Sequence, residues 1–97
     1  MQEVYDVYQR DFKGVWIPSE VYLDTNLKAQ DRIILAIIHM YSENGICQLS
    51  NQELAQLSCC SERKVSASLA MLKEQNYIEV SKFDGRTRFL KINEFQK

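Results

Sequence analysis

The sequence predicts a mainly α-helical domain with a small β-hairpin, and three observations carry this prediction. A long apolar segment lies near the middle of the chain, at about 28–42. Two shorter segments with helix-capping residues follow at 50–75, separated by a short turn. Two segments that alternate apolar and polar residues then flank Asp84-Gly85, a dipeptide typical of tight hairpin turns.

The first part of the domain should contain one short and one long helix. The segment IPSEVYLD predicts a helical turn with Pro18 at its first position, where proline gives up no hydrogen bond. The long helix is expected over Lys28–Ser42, ending where Gly45 adopts the left-handed conformation. Its broad apolar face consists of Ile33, Ile34, Ile37, Ile38 and Tyr41. We expect this helix to be the buried spine of the domain.

Two consecutive capped helices follow a short β-prone segment, ICQL. The capping-box pattern Ser50-Asn51-Gln52-Glu53 predicts a helix that ends near Ser58. Ser61 should cap the next helix, which runs to about Gln75. The inward positions are Leu54, Ala55 and Leu57 in the first of these helices and Val65, Leu69 and Leu72 in the second.

The chain then turns into a predicted hairpin. Asn76 tolerates the left-handed conformation, and YIEVSKF and TRFLKI have the alternation of paired strands. The order is helix, short strand, helix, helix, strand, turn, strand, which is the winged helix-turn-helix arrangement. We place this domain at 16–93, after an N-terminal arm at 1–15 and before a C-terminal tail at 94–97.

Length and composition fit one globular domain, with 97 residues of which 45% are hydrophobic and 26% charged. No apolar run approaches a membrane span and the N-terminus lacks the pattern of a signal peptide, so we expect a cytoplasmic protein with no membrane partner. Three cysteines, with Cys59 and Cys60 adjacent, provide neither a disulfide framework nor zinc spacing. We interpret them as free thiols.

Charge is divided unevenly along the chain. Residues 1–62 contain four Lys or Arg and nine Asp or Glu, a balance of −5, whereas residues 63–97 contain eight and four, a balance of +4. This asymmetry fits a domain that presents one face to a polyanion and another face to a different partner.

The segment LAQLSCCSERKVSASLAMLKEQNYI resembles the winged helix-turn-helix domains of replication initiators, replisome organisers and regulators of Gram-positive phages, plasmids and genomic islands. The similarity runs from about Trp16 to Ile92 and includes the lead-in WIPSEVYLD. It implies a recognition helix at Ser61–Gln75, a supporting helix at Asn51–Ser58 and a wing at Lys82–Arg88.

The sequence departs from this family at three positions. Cys59 stands at the turn and Asn76 at the end of the recognition helix, where the family usually has glycine. Ala67 stands where a basic residue is usual, which removes one expected base or phosphate contact.

Helical geometry identifies the outward face of the recognition helix. With its core stripe inward, Arg63, Ala67, Ala70 and Glu74 point outward, with Lys64, Ser66 and Met71 beside them. The first turn of such a helix enters the major groove, where Arg63 can fork onto guanine and Ala67 can approach a thymine methyl group. The alternatives for this face are ordinary solvated surface and a protein-docking surface built on Ala67, Ala70 and Met71.

The wing and the supporting helix supply further candidates. Arginine suits phosphates and the minor groove, and the N-terminus of a helix suits a phosphate. Charged residues that only keep a hairpin soluble are the alternative for the wing. The predicted DNA-binding residues are Ser61, Arg63, Lys64, Ser66, Ala67, Lys82, Arg86, Arg88 and Gln52.

We therefore expect a DNA-binding protein of a mobile element that acts in replication initiation or in its transcriptional control, on duplex DNA and as a homodimer. Pairing should use the arm, with Tyr5, Tyr8 and Phe12, or the spine helix. The alternative is an assembly module similar to DnaD-like primosomal proteins, with replication proteins as partners and little DNA affinity. No catalytic constellation, phosphate-cradling loop or ligand spacing is found, so we expect no enzymatic activity, cofactor or metal.

Overall fold

The computed structural model of the protein describes residues 14–84 and 87–93, with backbone only at 81–84 and 87. These residues form four helices and three strands in the predicted order. The elements are α1 (Ser19–Tyr22), α2 (Ala29–Met40), β1 (Ile46–Cys47), α3 (Asn51–Ser58), α4 (Glu62–Glu74), β2 (Ile78–Asp84) and β3 (Thr87–Ile92). The winged helix-turn-helix fold class is therefore confirmed.

The end of the spine helix differs from the prediction. α2 stops at Met40, and Gly45 does not terminate it. Instead Asn44 (φ 56°) and Gly45 (φ 80°) form a two-residue turn, closed by hydrogen bonds between the backbones of Glu43 and Ile46 at 2.7 and 3.0 Å. Asn-Gly favours this turn because both residues tolerate a positive φ. The turn leads the chain directly into β1.

The start of α1 also shifts slightly, because Pro18 occupies the N-cap position and Ser19 is the first helical residue. At α3 the predicted capping box is confirmed. Ser50 Oγ accepts a hydrogen bond from Glu53 N at 3.1 Å, and Glu53 Oε1 accepts one from Ser50 N at 2.9 Å. These bonds fix the point at which α3 begins.

Both helices of the helix-turn-helix end in the same backbone motif. After α3, Cys59 has φ 59°, and Cys60 N donates to the carbonyl oxygen of Ala55 at 3.0 Å. After α4, Asn76 has φ 67°, and Tyr77 N donates to the carbonyl oxygen of Leu72 at 3.0 Å. This six-to-one bond around a left-handed residue is the Schellman motif. Neither helix end uses glycine.

The three strands form an antiparallel sheet in the order β1-β3-β2. β1 pairs with the C-terminal part of β3, with Ile46 opposite Lys91. β2 and β3 pair from Ile78 opposite Ile92 to Asp84 opposite Thr87, with one irregularity between Val80 and Lys82. Asp84 and Thr87 are the last described pair of this ladder, and residues 85 and 86 between them lie outside the described residues.

The core lies between α2, α3, α4 and the inner face of the sheet. All six predicted inward positions of α3 and α4 are buried. In α2, Ile34, Leu35, Ile37 and Ile38 are almost fully buried, so the spine helix is not an available surface for pairing with a second copy. The remaining core residues include Val21, Leu27, Cys47, Leu49, Ile78 and Leu90.

Two polar contacts connect α2 and the loop before it to α4. The buried carboxylate of Asp31 accepts hydrogen bonds from Ser68 Oγ at 2.6 Å and from Lys28 N at 2.9 Å. Tyr77, just after α4, donates from its hydroxyl to Asp24 Oδ2 at 2.6 Å. These bonds hold α4 against the core on its inner side and leave its outer side available.

None of the helices in the described part of the chain combines the length and apolar character needed to cross a bilayer. Within residues 14–84 and 87–93, no three metal-ligating side chains lie together in a way that would hold a metal ion. Cys47, Cys59 and Cys60 are free thiols, and burial raises the pKa of the Cys47 thiol.

Candidate nucleic-acid interface

The outward face of α4 is fixed by the cap at its start and by its buried stripe. Ser61 Oγ accepts a hydrogen bond from Lys64 N at 3.1 Å, which sets the first turn of the helix. Val65, Leu69 and Leu72 then pack into the core. As the helical wheel predicts, Arg63, Lys64, Ala67 and Ala70 are exposed on the other side. The recognition-helix candidates therefore form one continuous solvent-facing surface.

The first turn of α4 places two cations where helix electrostatics disfavour them. Arg63 and Lys64 follow Glu62, the first residue after the N-cap Ser61, and among the described residues neither cation forms an ion pair. Cations at a helix N-terminus oppose the helix dipole, at a cost of about 0.3–1 kcal/mol each. The helix dipole therefore gives no local reason for these two cations, whereas Glu62 in the same turn is placed favourably.

Ser66 and Asn51 join the recognition helix to the supporting helix. Asn51 Nδ2 donates a hydrogen bond to Ser66 Oγ at 3.1 Å, so this predicted DNA-binding hydroxyl already has a partner inside the domain. Gln52 is exposed beside Asn51 in the first turn of α3. Gln52 is therefore the sequence neighbour of the residue that contacts Ser66.

The wing differs from the prediction at Arg88. We expected this side chain to reach out to phosphates, but it lies half-buried against the body of the domain. Arg88 Nη1 donates to Asn51 Oδ1, and Nη2 donates to the carbonyl oxygen of Leu49 at 2.6 Å. Burial lowers the pKa of the Arg88 guanidinium. Its position is explained by the register of β3, which places Arg88 on the inner face of the sheet with Leu90.

The other two wing candidates cannot be placed in the same way. The backbone of Lys82 pairs with Phe89, and its side chain lies outside the described residues. Arg86 also lies outside the described residues. Both remain predictions from the sequence.

A groove of about 220 Å³ separates α4 from the wing. Its lining residues are Asn51, Ser66, Leu69, Ala70, Lys73, Val80, Arg88 and Leu90. Helical geometry placed Ala70 on the outer side, but sequence reasoning missed the cation Lys73 and the apolar Val80, which is 43% exposed. The spacing of seven residues from Ser66 was an available signal for Lys73, and the alternation of the predicted strand, which puts Val80 on the same face as Ile78, was a signal for Val80.

Neither the adjacent cysteines nor His39 lines this groove. Cys59 is exposed in the turn between α3 and α4, and Cys60 is half-buried with its Sγ 3.2 Å from Ser58 Oγ. His39 is exposed in the last turn of α2. The interface that the structure assembles therefore consists of the outer face of α4, the start of α3 and the wing.

Comparison with known proteins adds the family. A family model described as a helix-turn-helix domain matches residues 25–78, which is more than half of the chain. The chain belongs to this helix-turn-helix family. Within the helix-turn-helix domain, the matched residues include α2, β1, α3 and α4 and stop at the first residue of β2. The wing therefore lies beyond the matched region.

Solved structures extend the likeness to the wing. The domain is similar to a structure described as the N-terminal domain of a DNA-binding protein, with a TM-score of 0.65, 15% identity, and coverage of 91% of this chain and 79% of that chain. It is also similar to a structure of a Rep–DNA complex, with a TM-score of 0.63, 13% identity, and coverage of 91% and 80%. At these identities the likeness concerns the fold. No curated protein sequence matches the chain significantly.

Proposed function

We propose that this helix-turn-helix domain binds duplex DNA, with the first turn of α4 in the major groove and the β2–β3 wing along the neighbouring backbone. The observation that carries the proposal is the pair of exposed cations, Arg63 and Lys64, at the start of a helix whose outer face is open. The small side chains of Ala67 and Ala70 allow the helix to approach base edges closely. The role is binding without catalysis.

The biological setting that we propose is replication initiation, or its transcriptional control, for a mobile element. Similarity to a protein whose structure was solved as a Rep–DNA complex supports the replication role. The resemblance of Leu54–Ile78 to domains of phage and plasmid replication proteins supports the mobile element. We further propose that the domain acts as a homodimer, because two linked binding surfaces hold DNA much more tightly than one.

A second candidate function is assembly with replication proteins. The exposed alanines of α4 and the partly exposed Val80 favour it, because they form an apolar strip beside the groove. DNA binding accounts better for the basic second half of the chain, whereas an assembly role accounts better for the strip. The two functions predict opposite effects of adding charge at Ala67.

The test measures binding to random duplex and single-stranded DNA by fluorescence anisotropy over a range of salt concentrations. With Arg63, Lys64, Lys82 and Arg86 near phosphates, log affinity should fall against log salt with a slope of about −3.6 on duplex DNA. Arg63→Ala should cost roughly 1–3 kcal/mol on a preferred site. Lys28→Ala is the matched control, because Lys28 is an exposed cation at the start of α2 and outside the interface.

Ala67→Arg separates the two candidates. If α4 lies against DNA, the added charge should raise general affinity, since it supplies one more phosphate contact. If the same face docks on protein, the added guanidinium should disrupt an assembly. The DNA-binding proposal fails if Arg63→Ala and Arg86→Ala both leave duplex and single-strand binding unchanged while Ala67→Arg breaks an oligomer.

A further inference from the structure

We infer that Arg88 is a positioning residue of the DNA-binding surface: through Asn51 it holds the wing against the recognition helix, and it does not neutralise a phosphate itself. This inference rests on the proposed function and deepens it, because it separates the basic residues that contact DNA from one that sets the geometry of the contacts.

A single amide links the three parts of the interface. Asn51 is the first residue of α3, and its two polar atoms face different elements. Its Nδ2 donates to Ser66 Oγ on α4 at 3.1 Å, and its Oδ1 accepts from Arg88 Nη1 on β3. Because a donor and an acceptor are both needed, the two bonds also fix the orientation of the amide. If the wing moves, either the bond between Arg88 and Asn51 or the bond between Asn51 and Ser66 must break.

The guanidinium is committed to this link on two sides. Its second terminal nitrogen, Nη2, donates to the carbonyl oxygen of Leu49 at 2.6 Å, two residues before Asn51. Its Nε is enclosed and has no acceptor among the described residues. Arginine has five N–H donors in a planar fork, so this arrangement leaves the group poorly placed for the bidentate contact that makes arginine effective at phosphates.

The link lies close to the end of the wing, where it can fix the position of the wing relative to α4. Arg88 is the second residue of β3, two positions after residue 86. It lines the groove between α4 and the wing together with Asn51 and Ser66. With Arg88 fixed there, the distance between the outer face of α4 and the wing is set before DNA arrives, which lowers the ordering cost of binding.

The first experiment compares Arg88→Lys and Arg88→Ala in the duplex-binding assay over a salt range. Lysine keeps the charge but lacks the fork, so both variants should lose about five- to tenfold in affinity. Neither should change the salt slope. Lys91→Ala is the control, because Lys91 is an exposed cation on the same strand, 3.7 Å from Glu79 Oε2, and its removal should change affinity by less than about twofold.

A phosphate contact by Arg88 predicts a different pattern. Arg88→Ala would then flatten the slope by about one unit, and Arg88→Lys would retain most of the affinity. Either result overturns the positioning role, and so does unchanged affinity in both variants.

The second experiment needs no DNA and keeps this inference separate from the proposed function. Urea unfolding of Arg88→Lys, Asn51→Ala and the double variant should show non-additive effects, with a coupling of roughly tenfold in the unfolding constant. Effects that add within about twofold overturn the link. If the wild-type chain binds no DNA while the coupling is present, the proposed function fails and the link between wing and helix stands.

Discussion

Tyr77 is the residue that ties the end of the recognition helix to the loop before α2. Its hydroxyl donates to Asp24 Oδ2 at 2.6 Å, and this hydrogen bond is the main reason why the pKa of the Asp24 carboxyl is lowered. Burial, followed by the bond to Asp24, raises the pKa of Tyr77 to about 12. Arg32 joins the same loop by donating from Nη2 to the carbonyl oxygen of Asp24 at 2.9 Å. The Tyr77 hydroxyl is thus one of the contacts that position the end of α4.

Tyr77→Phe should lower the free energy of unfolding by about 0.5–1.5 kcal/mol near neutral pH, because it removes this bond and leaves the ring in place. Because the pKa of Asp24 is lower in the folded state than in the unfolded state, ionised Asp24 stabilises the fold at pH values above its unfolded-state pKa. This stability is lost as the pH falls through the folded-state pKa. A raised folded-state pKa at Tyr77 contributes stability below 10 that is lost as pH rises towards about 12. The wild type and the variant should therefore differ most in the window between these two limits.

Urea unfolding at about pH 3, 7 and 11 measures this difference. Tyr22→Phe is the matched control, because Tyr22 is exposed at the end of α1. Its contact with Arg32 is made by the ring, whose centroid lies 5.7 Å from Arg32 Cζ, and the substitution keeps the ring. A Tyr77→Phe effect that stays constant from acid to alkaline pH would contradict the role assigned to the Asp24–Tyr77 bond.

At the scale of elements, the turn between α3 and α4 is closed by a residue type that rarely occupies its conformation. Cys59 has φ 59° and is exposed, so its side chain gains little from packing. A residue with a Cβ in the left-handed conformation costs roughly 1–2 kcal/mol relative to a right-handed one. The Schellman bond from Cys60 N to the carbonyl oxygen of Ala55 nevertheless holds the turn.

Cys59→Gly should therefore raise the free energy of unfolding by about 0.5–1 kcal/mol, since glycine adopts a positive φ without the steric cost. Thermal or urea unfolding under reducing conditions measures the change. Cys60→Gly is the control at the neighbouring position, and it should destabilise the fold because Cys60 is packed partly against the core. If Cys59→Gly also destabilises the fold, the Cys59 side chain must contribute more stability than the positive φ of this residue costs.

In the whole molecule, the acidic and basic halves of the chain form different elements of the fold. The basic second half provides α4 and the wing, and the acidic first half provides α1, α2 and α3. Large apolar side chains are exposed around α1, with Trp16 and Leu23 each 71% exposed. These residues follow directly after the arm, whose residues 1–13 lie outside the described part of the chain.

The proposed homodimer should depend on this end of the molecule. In sedimentation velocity at tens of micromolar, we expect the full chain to dimerise and a chain starting at Lys13 to remain monomeric, because Tyr5, Tyr8 and Phe12 supply apolar contact area. Leu23→Ser should weaken the dimer, whereas Met40→Ser, at the far end of α2, should not. Monomers in both the full and the shortened chain would exclude this mode of self-association.

The order of the helices and the way in which the two helices of the helix-turn-helix begin and end could be predicted from the residues alone, because these features depend on local rules. Ser50 and Ser61 cap helices through their own hydroxyl groups, and Asn76 accepts a left-handed backbone that few residues tolerate. The periodicity of Val65, Leu69 and Leu72 also fixed which side of α4 faces the core. Each of these features depends only on residues in the same turn or the same helix.

Hydrogen bonds between side chains and distant segments could be identified only in the folded structure. The sequence places Arg88 on a basic hairpin, and nothing within that hairpin reveals that Asn51 and the Leu49 carbonyl, more than thirty residues earlier, are its hydrogen-bond partners. The packing of α2 against α3 and α4 likewise buried the helix that we expected to pair with a second copy. Contacts between distant segments depend on strand register and helix packing, which local residue preferences do not encode.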